Sequence, residues 1–490
     1  MKKYDVIIIG SGLGGLECGY ILSRKGYRVC ILEKNPQIGG CLQTFRRGNI
    51  SFDTGFHYVG GLEEGQSLYP LFRYFGLTDL PWRKMDENCF AEIVLDGKSY
   101  CFASGHERFA DAMSSYFPHQ RRQIAAYTAF LKKVGDNIMN SFFPERRNEF
   151  TASSLYERSA YAFLQESIDD PLLRNVLSGA SLTMEPNAEQ LPLYVFAQIN
   201  NSFIQSAWRL KGGGSLIADK LVESIRHMGG DVLTHAEVMR LTEHNGLITS
   251  VRCKNGEEFS GTYVISSIHP SLTLSLIPDS RQIRKIYRKR IDDLANSYGI
   301  FTTHLQLKAN TVPYLNRNIY IFRGRTPWDY ACYRAGEKTT AALVGFQLPC
   351  ESAYTSNIDI LTPMHWQEVA PWAEAKDESY RAFKMRKAEE CIALASEKLP
   401  GLKAHIDRIY TSTPLTYRDY TGTKEGSAYG VRKDYRHLMY TLLTPQTPIP
   451  NLLLTGQNIG FHGILGVSMT SFFTCAQIVG MKSLLKELET

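Results

Sequence analysis

Val6, Ile7, Ile8 and Ile9 form an unbroken apolar run inside Tyr4 to Ile9, and a short run of this kind predicts a buried strand. Behind it the spacing changes. Leu16, Tyr20 and Ile21 recur at helical intervals up to Lys25, Gly26 supplies a stop, and Tyr27 to Leu32 returns to a strand pattern. The stretch 104–206 reads as mainly helical. A helix over 216–228 lies between Lys211-Gly212-Gly213-Gly214-Ser215 and Gly229-Gly230, and short strands follow at 231–234, 237–242, 246–251, 258–259 and 262–266. From 278 to 445 strands and helices mix, with a long helix near 379–398. Asn451 to Leu454 reads as a strand leading into a final helix over 467–488.

The turn after the first strand carries the first chemical signal. Gly10-Ser11-Gly12-Leu13-Gly14-Gly15 fits G-x-G-x-x-G at Gly10, Gly12 and Gly15, and Glu33 closes the second strand 21 residues past Gly12. Gly10 permits the turn, Gly12 lets backbone approach a pyrophosphate, and Gly15 lets helix pack on strand. The helix N-terminus offers free N–H groups to phosphate, and Glu33 can accept from ribose hydroxyls. Glu33 also argues against a 2′-phosphorylated cofactor at this site, because the two anions would repel. Lys2 and Lys3 before the apolar run mimic a secretion signal. Four apolar residues are too few for its core, however, and no small-x-small cleavage site follows.

The order of elements predicts an α/β protein with a Rossmann-like dinucleotide domain in three segments, 1–103, 207–277 and 446–490. An α+β substrate domain is inserted twice, at 104–206 and 278–445. Two glycine-rich turns, Gly39-Gly40 and Gly60-Gly61, follow closely and suggest backbone packed against a large flat ligand.

Bulk properties narrow the class. The 490 residues suffice for two or three cores, and 43% hydrophobic with 21% charged is ordinary for a soluble chain. No run of 18 apolar residues predicts a spanning helix. Ten cysteines without C-x-x-C or metal-ligand spacing predict reduced thiols, a cytoplasmic protein and no metal site. A net charge of +6 is too weak to argue nucleic acid, and no nucleic-acid-reading motif is present. The positive charge concentrates in 281–294, where Ile283, Ile286, Tyr287, Ile291 and Leu294 share a helical face and basic residues cover the rest. Such a helix is a candidate for resting on the anionic inner face of a membrane; the alternative is a surface helix packed on the protein's own core.

Nearly end to end, the chain resembles the FAD-dependent phytoene desaturases, carotenoid isomerases and all-trans-retinol 13,14-reductases, relatives of the amine oxidases. The resemblance rests on Gly10, Gly12, Gly15 and Glu33; on Gly39-Gly40 with Thr44-Phe45; and on Asp53-Thr54-Gly55-Phe56-His57-Tyr58. It continues through Lys211-Gly212-Gly213, Gly229-Gly230 and Val238, then Thr413-Pro414-Leu415-Thr416 with Gly426 and Tyr429-Gly430, and finally Thr455-Gly456-Gln457-Asn458. It implies FAD, with Gly10, Gly12, Leu13, Gly14 and Gly15 under the pyrophosphate, Glu33 and Lys34 at the adenosine ribose, and Val238 presenting backbone to adenine. Gly39, Gly40, Cys41, Thr44 and Gly55 would flank the cofactor, and Gly456, Gln457, Asn458, Gly466 and Val467 would meet it at the last helix. Asn458 stands where an acid is common, yet an amide can still bond a ribityl hydroxyl. Cys41 stands where amine oxidases often place Arg, which favours the polyene branch.

A flavin exchanges hydride with a carbon held against it, and a polyene would bind through an apolar tunnel. Phe163, Leu182, Met184, Leu193, Tyr194, Phe196 and Phe203 are candidate walls; plain core packing is the alternative. Saturation of a double bond also needs a proton, and His57, Tyr58, Tyr429 and His462 are the candidate donors. Tyr417 and Arg418 are candidate contacts. No second G-x-G-x-x-G follows a strand, so a dedicated nicotinamide domain is not expected. Electrons would come from transient NAD(P)H docking, a separate reductase, or the substrate itself. The reading is an FAD-dependent oxidoreductase acting on C=C or CH–CH bonds of a hydrophobic polyene, most similar to the retinol saturases. Desaturase, isomerase, flavin amine oxidase and non-catalytic FAD- or lipid-binding protein are the alternatives.

Overall fold

The computed structural model describes residues 1–142, 144–332, 336–349 and 352–489. Lys2–Ile9 is fully buried from Val6 onward and forms the middle of a seven-stranded sheet. The order is Asp231–Leu233, Val29–Leu32, Lys2–Ile9, Glu258–Ser266, Leu247–Cys253 and Val238–His244, with Leu452–Leu454 added beside Glu258–Ser266. The pairs from Asp231–Leu233 to Glu258–Ser266 and on to Leu452–Leu454 are parallel. The other two strands close the sheet as an antiparallel meander.

Register does the positioning. Leu233, Leu32, Ile9, Ser266 and Leu454 lie in one row across the five parallel strands. The residues that follow this row, Thr234, Glu33, Gly10, Ser267 and Thr455, therefore emerge together at one sheet edge. Ligands of open parallel sheets bind outside these carboxyl ends. The helix Leu13–Arg24 packs on one face between Ser215–His227 and Gly463–Val479.

The second sheet runs Ile406–Ser412, Gly299–Leu307, Asn357–Met364, Ala341–Phe346, Asn318–Phe322, Ala91–Leu95 and Lys98–Phe102, antiparallel except where Ala91–Leu95 pairs with Asn318–Phe322. This corrects one boundary. Residues 91–102, assigned from sequence to the nucleotide domain, form two strands of the substrate-domain sheet. Among the described residues between 104 and 206 the named elements are all helices, and Leu193–Gln205 is buried on nearly every side. The last helix begins earlier than its periodicity suggests and breaks at Gly480, whose φ is +79°, before Met481–Glu489.

Two further expectations are revised. Cys89 and Cys101 form a disulfide, because the hairpin of Ala91–Leu95 and Lys98–Phe102 brings their Cα atoms to 4.9 Å. Cys18, Cys30, Cys41, Cys253, Cys391 and Cys475 are free thiols, while Cys332 and Cys350 fall outside the described side chains. In the basic segment only Lys285–Asp292 is α-helical, and Ile283, Ile291 and Leu294 are buried in the protein's own core. The apolar face is thus already covered, with Ile286 alone standing out at 78% exposure. No helix among the described residues is long and apolar enough to cross a membrane.

Candidate active site

A cavity of about 590 Å³ opens at the carboxyl edge of the first sheet and reaches the second. Its polar end is lined by the strand-end residues Gly10, Glu33 and Ser267, by Gly12, Leu13, Gly14, Lys34, Gly39, Gly40 and Cys41, and by Val238 with Met239. Gly55, Gly456, Gln457, Asn458 and Val467 also face it, as do His57, Tyr58, Tyr429 and His462. Three expected cofactor residues do not line it. A Cβ on Gly15 would fall 2.1 Å from the Gly10 carbonyl oxygen, and one on Gly466 would fall 2.2 Å from that of Phe461, so both are packing glycines. Thr44 sits behind the wall, its hydroxyl 3.4 Å from Ser215 Oγ.

The polar end is built for backbone contact with an anion. Gly14 packs so tightly on Gly456 that a Cβ would meet its Cα at 2.9 Å, and a Cβ on Gly40 would fall 3.1 Å from the Cα of Gly12. Leu13–Arg24 and Gly463–Val479 both begin here with no side-chain cap and no acid in the first turn, so their N–H groups and positive dipole ends stay available. Glu33 is buried at the head of the cleft. Its Oε2 accepts from Ser11 N at 3.0 Å and Ser11 Oγ at 2.6 Å, and its Oε1 from Asn35 N at 2.8 Å. It pins the glycine turn and keeps lone pairs for a ribose. Lys34 Nζ is turned away onto the Asp419 carbonyl, which leaves Tyr420 and Thr421 over this end. These features fit a flavin dinucleotide: uncapped helix ends for the diphosphate, glycine walls for close approach, and a carboxylate for the ribose.

The far end is apolar. Leu182, Ile199, Phe203, Ile300, Leu343 and Leu361 line it. Of the candidate wall residues, Leu182 and Phe203 face the cavity; Phe163, Met184, Leu193, Tyr194 and Phe196 are not among its lining residues and pack in the hydrophobic core. The titratable groups here carry strong burial effects. Burial pulls the pKa of His57 down to about 4 and that of His462 likewise to about 4, so both imidazoles are neutral at pH 7. Burial pushes the Cys41 thiol up to about 11, and raises the phenols of Tyr58, Tyr417 and Tyr429. Tyr417 Oη donates to the Thr54 carbonyl at 2.8 Å, holding the loop before His57, while Arg418 is engaged with Asp419 and the Ala373 carbonyl.

Sequence reading missed Met239, Ser267 and His269, which no local motif marks, and the role of Ser11 in holding Glu33. Ser267 becomes visible only once Glu258–Ser266 is known to lie beside the first strand. Among the described residues no group of three or more His, Cys, Asp or Glu is placed to hold a metal ion.

A family profile described as flavin containing amine oxidoreductase matches residues 13–311. The all-trans-retinol 13,14-reductase of Rattus norvegicus is 26% identical over an alignment spanning 100% of this chain and 87% of the relative. Prolycopene isomerase 2, a chloroplastic protein of an Oncidium hybrid cultivar, is 23% identical over 88% of this chain and 75% of its own. Among solved structures, an oxidoreductase from Methanosarcina mazei shares the fold with a TM-score of 0.65 at 16% identity, covering 99% of this chain and 100% of the other.

Proposed function

The chain belongs to the flavin containing amine oxidoreductase family and is thus a flavin-dependent oxidoreductase, and from that premise we propose that it acts on a C=C or CH–CH unit of a long hydrophobic polyene, as a saturase similar to all-trans-retinol 13,14-reductase. Bound FAD would supply two-electron hydride exchange with a substrate carbon. Glycines 10, 12, 14, 39, 40 and 456 with the two helix N-termini would hold its diphosphate, Glu33 its ribose, and Val238 its adenine.

One observation carries the choice of substrate. The apolar end is walled by Leu182, Ile199, Phe203, Ile300, Leu343 and Leu361, and the only carboxylates lining the cavity among the described residues are Glu33 and Glu237, both at the polar end. An amine substrate would bury an ammonium with no counter-charge, at a cost of several kcal/mol. A polyene needs none, and its binding energy comes from apolar area. Similarity to a retinol reductase over the whole of this chain, and to a prolycopene isomerase over 88% of it, supports the same substrate class.

Saturation, desaturation and isomerisation share this scaffold, and the electron partner is external: NAD(P)H docking transiently, or a separate redox protein. Anaerobic incubation of the oxidised and of the reduced flavoprotein with polyenes separates them, since the product gains a hydrogen pair, loses one, or keeps its mass. A gain with reduced flavin is the expected result. Absence of turnover in both flavin states, or peroxide release with amines, overturns the reading.

A peripheral membrane contact belongs to the same proposal, since the substrate dissolves in lipid. Ile286 and Met439, exposed by 78% and 88%, stand on neighbouring segments joined by Arg290, whose Nη2 donates to the Met439 and Tyr440 carbonyls at 3.0 and 3.1 Å. Arg281, Arg284 and Lys285 are exposed on the same segment as Ile286, while Lys289 is paired with Asp293.

A further inference from the structure

Reducing a double bond takes a hydride and a proton, and the proton donor must face the substrate and carry its proton at neutral pH. His57, Tyr58, Tyr429 and His462 all face the cavity. Tyr429 Oη donates to the Leu182 carbonyl at 2.7 Å, and His462 Nε2 lies 3.0 Å from the Thr183 carbonyl, which can only accept. Both spend a proton on the backbone. His57 is a neutral imidazole at pH 7, a poor acid.

Tyr58 is different. Burial raises its phenol, so it is protonated at neutral pH. Its ring stacks on Phe203 with centroids 4.2 Å apart, and its Oη lies 2.6 Å from Tyr320 Oη. If Tyr320 donates to Tyr58, the Tyr58 proton is left to point elsewhere. Tyr320 stands two positions beyond Asn318 on the strand Asn318–Phe322, so both side chains leave the same face of the sheet. Asn318 Oδ1 accepts from Arg209 Nη2 at 2.7 Å, and its Nδ2 is a buried donor without a partner. Arg209 is 4% exposed, donates to the Arg317 carbonyl and Asn318, and has no carboxylate paired with it among the described residues. A buried cation held only by neutral acceptors and an unmet amide N–H are both costly unless an anion forms beside them. Tyr320, Arg209 and Asn318 all act to lower the Tyr58 pKa, against its burial and the neighbouring Tyr429.

We propose that Tyr58 is the catalytic acid, and that Tyr320, Asn318 and Arg209 form a preorganised seat for its phenolate. This rests on the reading of the protein as a polyene reductase. In the step, one alkene carbon receives hydride, with the reduced flavin as reductant, itself reduced by an external two-electron donor. The alkene π pair forms the bond from the other carbon to the Tyr58 proton, and the O–H bonding pair stays on the phenolate oxygen. Tyr320 and Asn318 are positioning residues that donate to that oxygen, Arg209 supplies the opposite charge, and water later returns the proton.

Fluorotyrosine labelling allows the Tyr58 phenol to be followed by fluorine NMR in flavin-free and flavin-loaded protein, its resonance being the one missing from Tyr58→Phe. Tyr320→Phe, which removes one oxygen and keeps the core volume, and Asn318→Ala should each move its titration to higher pH by roughly one unit, the scale of one lost hydrogen bond. In single turnover, Tyr58→Phe should slow polyene reduction roughly 10²–10⁴-fold while chemical reduction of the flavin and polyene binding persist. Turnover of Tyr58→Phe within a few-fold of wild type, or a Tyr58 titration unmoved by either neighbour, overturns the proposal. A wild type that reduces no polyene while the titration shifts as expected overturns the polyene reading alone and supports the seat.

Discussion

Lys433 donates from Nζ to the backbone carbonyl of Asn458 at 2.6 Å. Lys433 is 8% exposed, and the other contact of its Nζ is the Thr441 carbonyl at 3.5 Å. From the other side Asn458 Oδ1 accepts from Val431 N at 3.1 Å, so the segment from Gly456 to Asn458 is fixed from behind while Asn458 keeps its Nδ2 for the cavity. The amide oxygen is thus used inside the protein, and only the Nδ2 end of Asn458 is left for a ligand.

Burial lowers the pKa of Lys433 to about 7, from 10.5. Between these values the unfolded chain binds a proton that the folded chain does not. Stability therefore rises with pH through this window, and the full penalty applies below about 7. Lys433→Met should lose that rise, read from urea midpoints at neutral and alkaline pH. It should also weaken flavin retention roughly 2- to 10-fold, since a hydrogen bond from a neutral amine is worth about 0.5–1.5 kcal/mol. Equal slopes and equal flavin affinity in both proteins would contradict the assignment.

Glu17 gives the opposite sign. It is fully buried, with Ser468 Oγ 2.5 Å from Oε1 and Ser471 Oγ 2.9 Å from Oε2, and burial raises its carboxyl to about 8. Ser471 Oγ also lies 3.0 Å from the Val467 carbonyl, so it can donate there and accept the Glu17 proton. Between about 4.5 and 8 the folded state holds a proton that the unfolded state releases, so stability falls as pH rises through that range. Glu17→Gln should flatten this fall and gain on the wild type above neutrality, with little difference in acid. A variant less stable at every pH would mean that the carboxyl is ionised in the fold.

What the sequence revealed was local. Gly10, Gly12 and Glu33 are tied to one strand–turn–helix–strand unit, and their spacing alone brings them to one sheet edge. Ser267 and Met239 reach the same edge through strands more than two hundred residues away, and pairing across such a distance leaves no trace in periodicity. The same blindness put Ala91–Leu95 in the wrong domain, since its parallel partner is Asn318–Phe322. Periodicity also shows that an apolar face exists without showing what covers it. Ile283, Ile291 and Leu294 form a real face that the protein's own core occupies, and Phe163 and Phe196 are core rather than cavity wall.

The glycines separate packing from conformation. A Cβ on Gly15 would overlap the Gly10 carbonyl oxygen at 2.1 Å, and that atom belongs to the turn itself. Gly15→Ala should therefore push the helix from the strand, release flavin, and destabilise the protein by about 2 kcal/mol or more. Gly26 has φ +83° with nothing within 4 Å of its Cβ position. Gly26→Ala should cost only about 1–2 kcal/mol of backbone strain and keep the flavin. Flavin absorbance after gel filtration and urea midpoints test the pair; flavin retained by Gly15→Ala would show that the turn yields.

Ile286 and Met439 offer the last test. Large apolar side chains exposed this far gain little from the fold, and the basic residues around them would meet anionic lipid at about 1 kcal/mol each near a membrane surface. Replacing both by Glu removes apolar area and lowers the local positive charge without touching a buried contact, so the fold and the flavin should be unaffected. Binding to anionic vesicles should drop roughly tenfold or more, and the wild-type affinity should fall as salt rises, because exposed charges are screened over about 10 Å at moderate ionic strength. Turnover of a polyene presented in detergent should persist while turnover from vesicles declines, since only delivery of the substrate is impaired. Vesicle binding unchanged by the double substitution, or insensitive to salt, would place the lipid contact elsewhere or remove it.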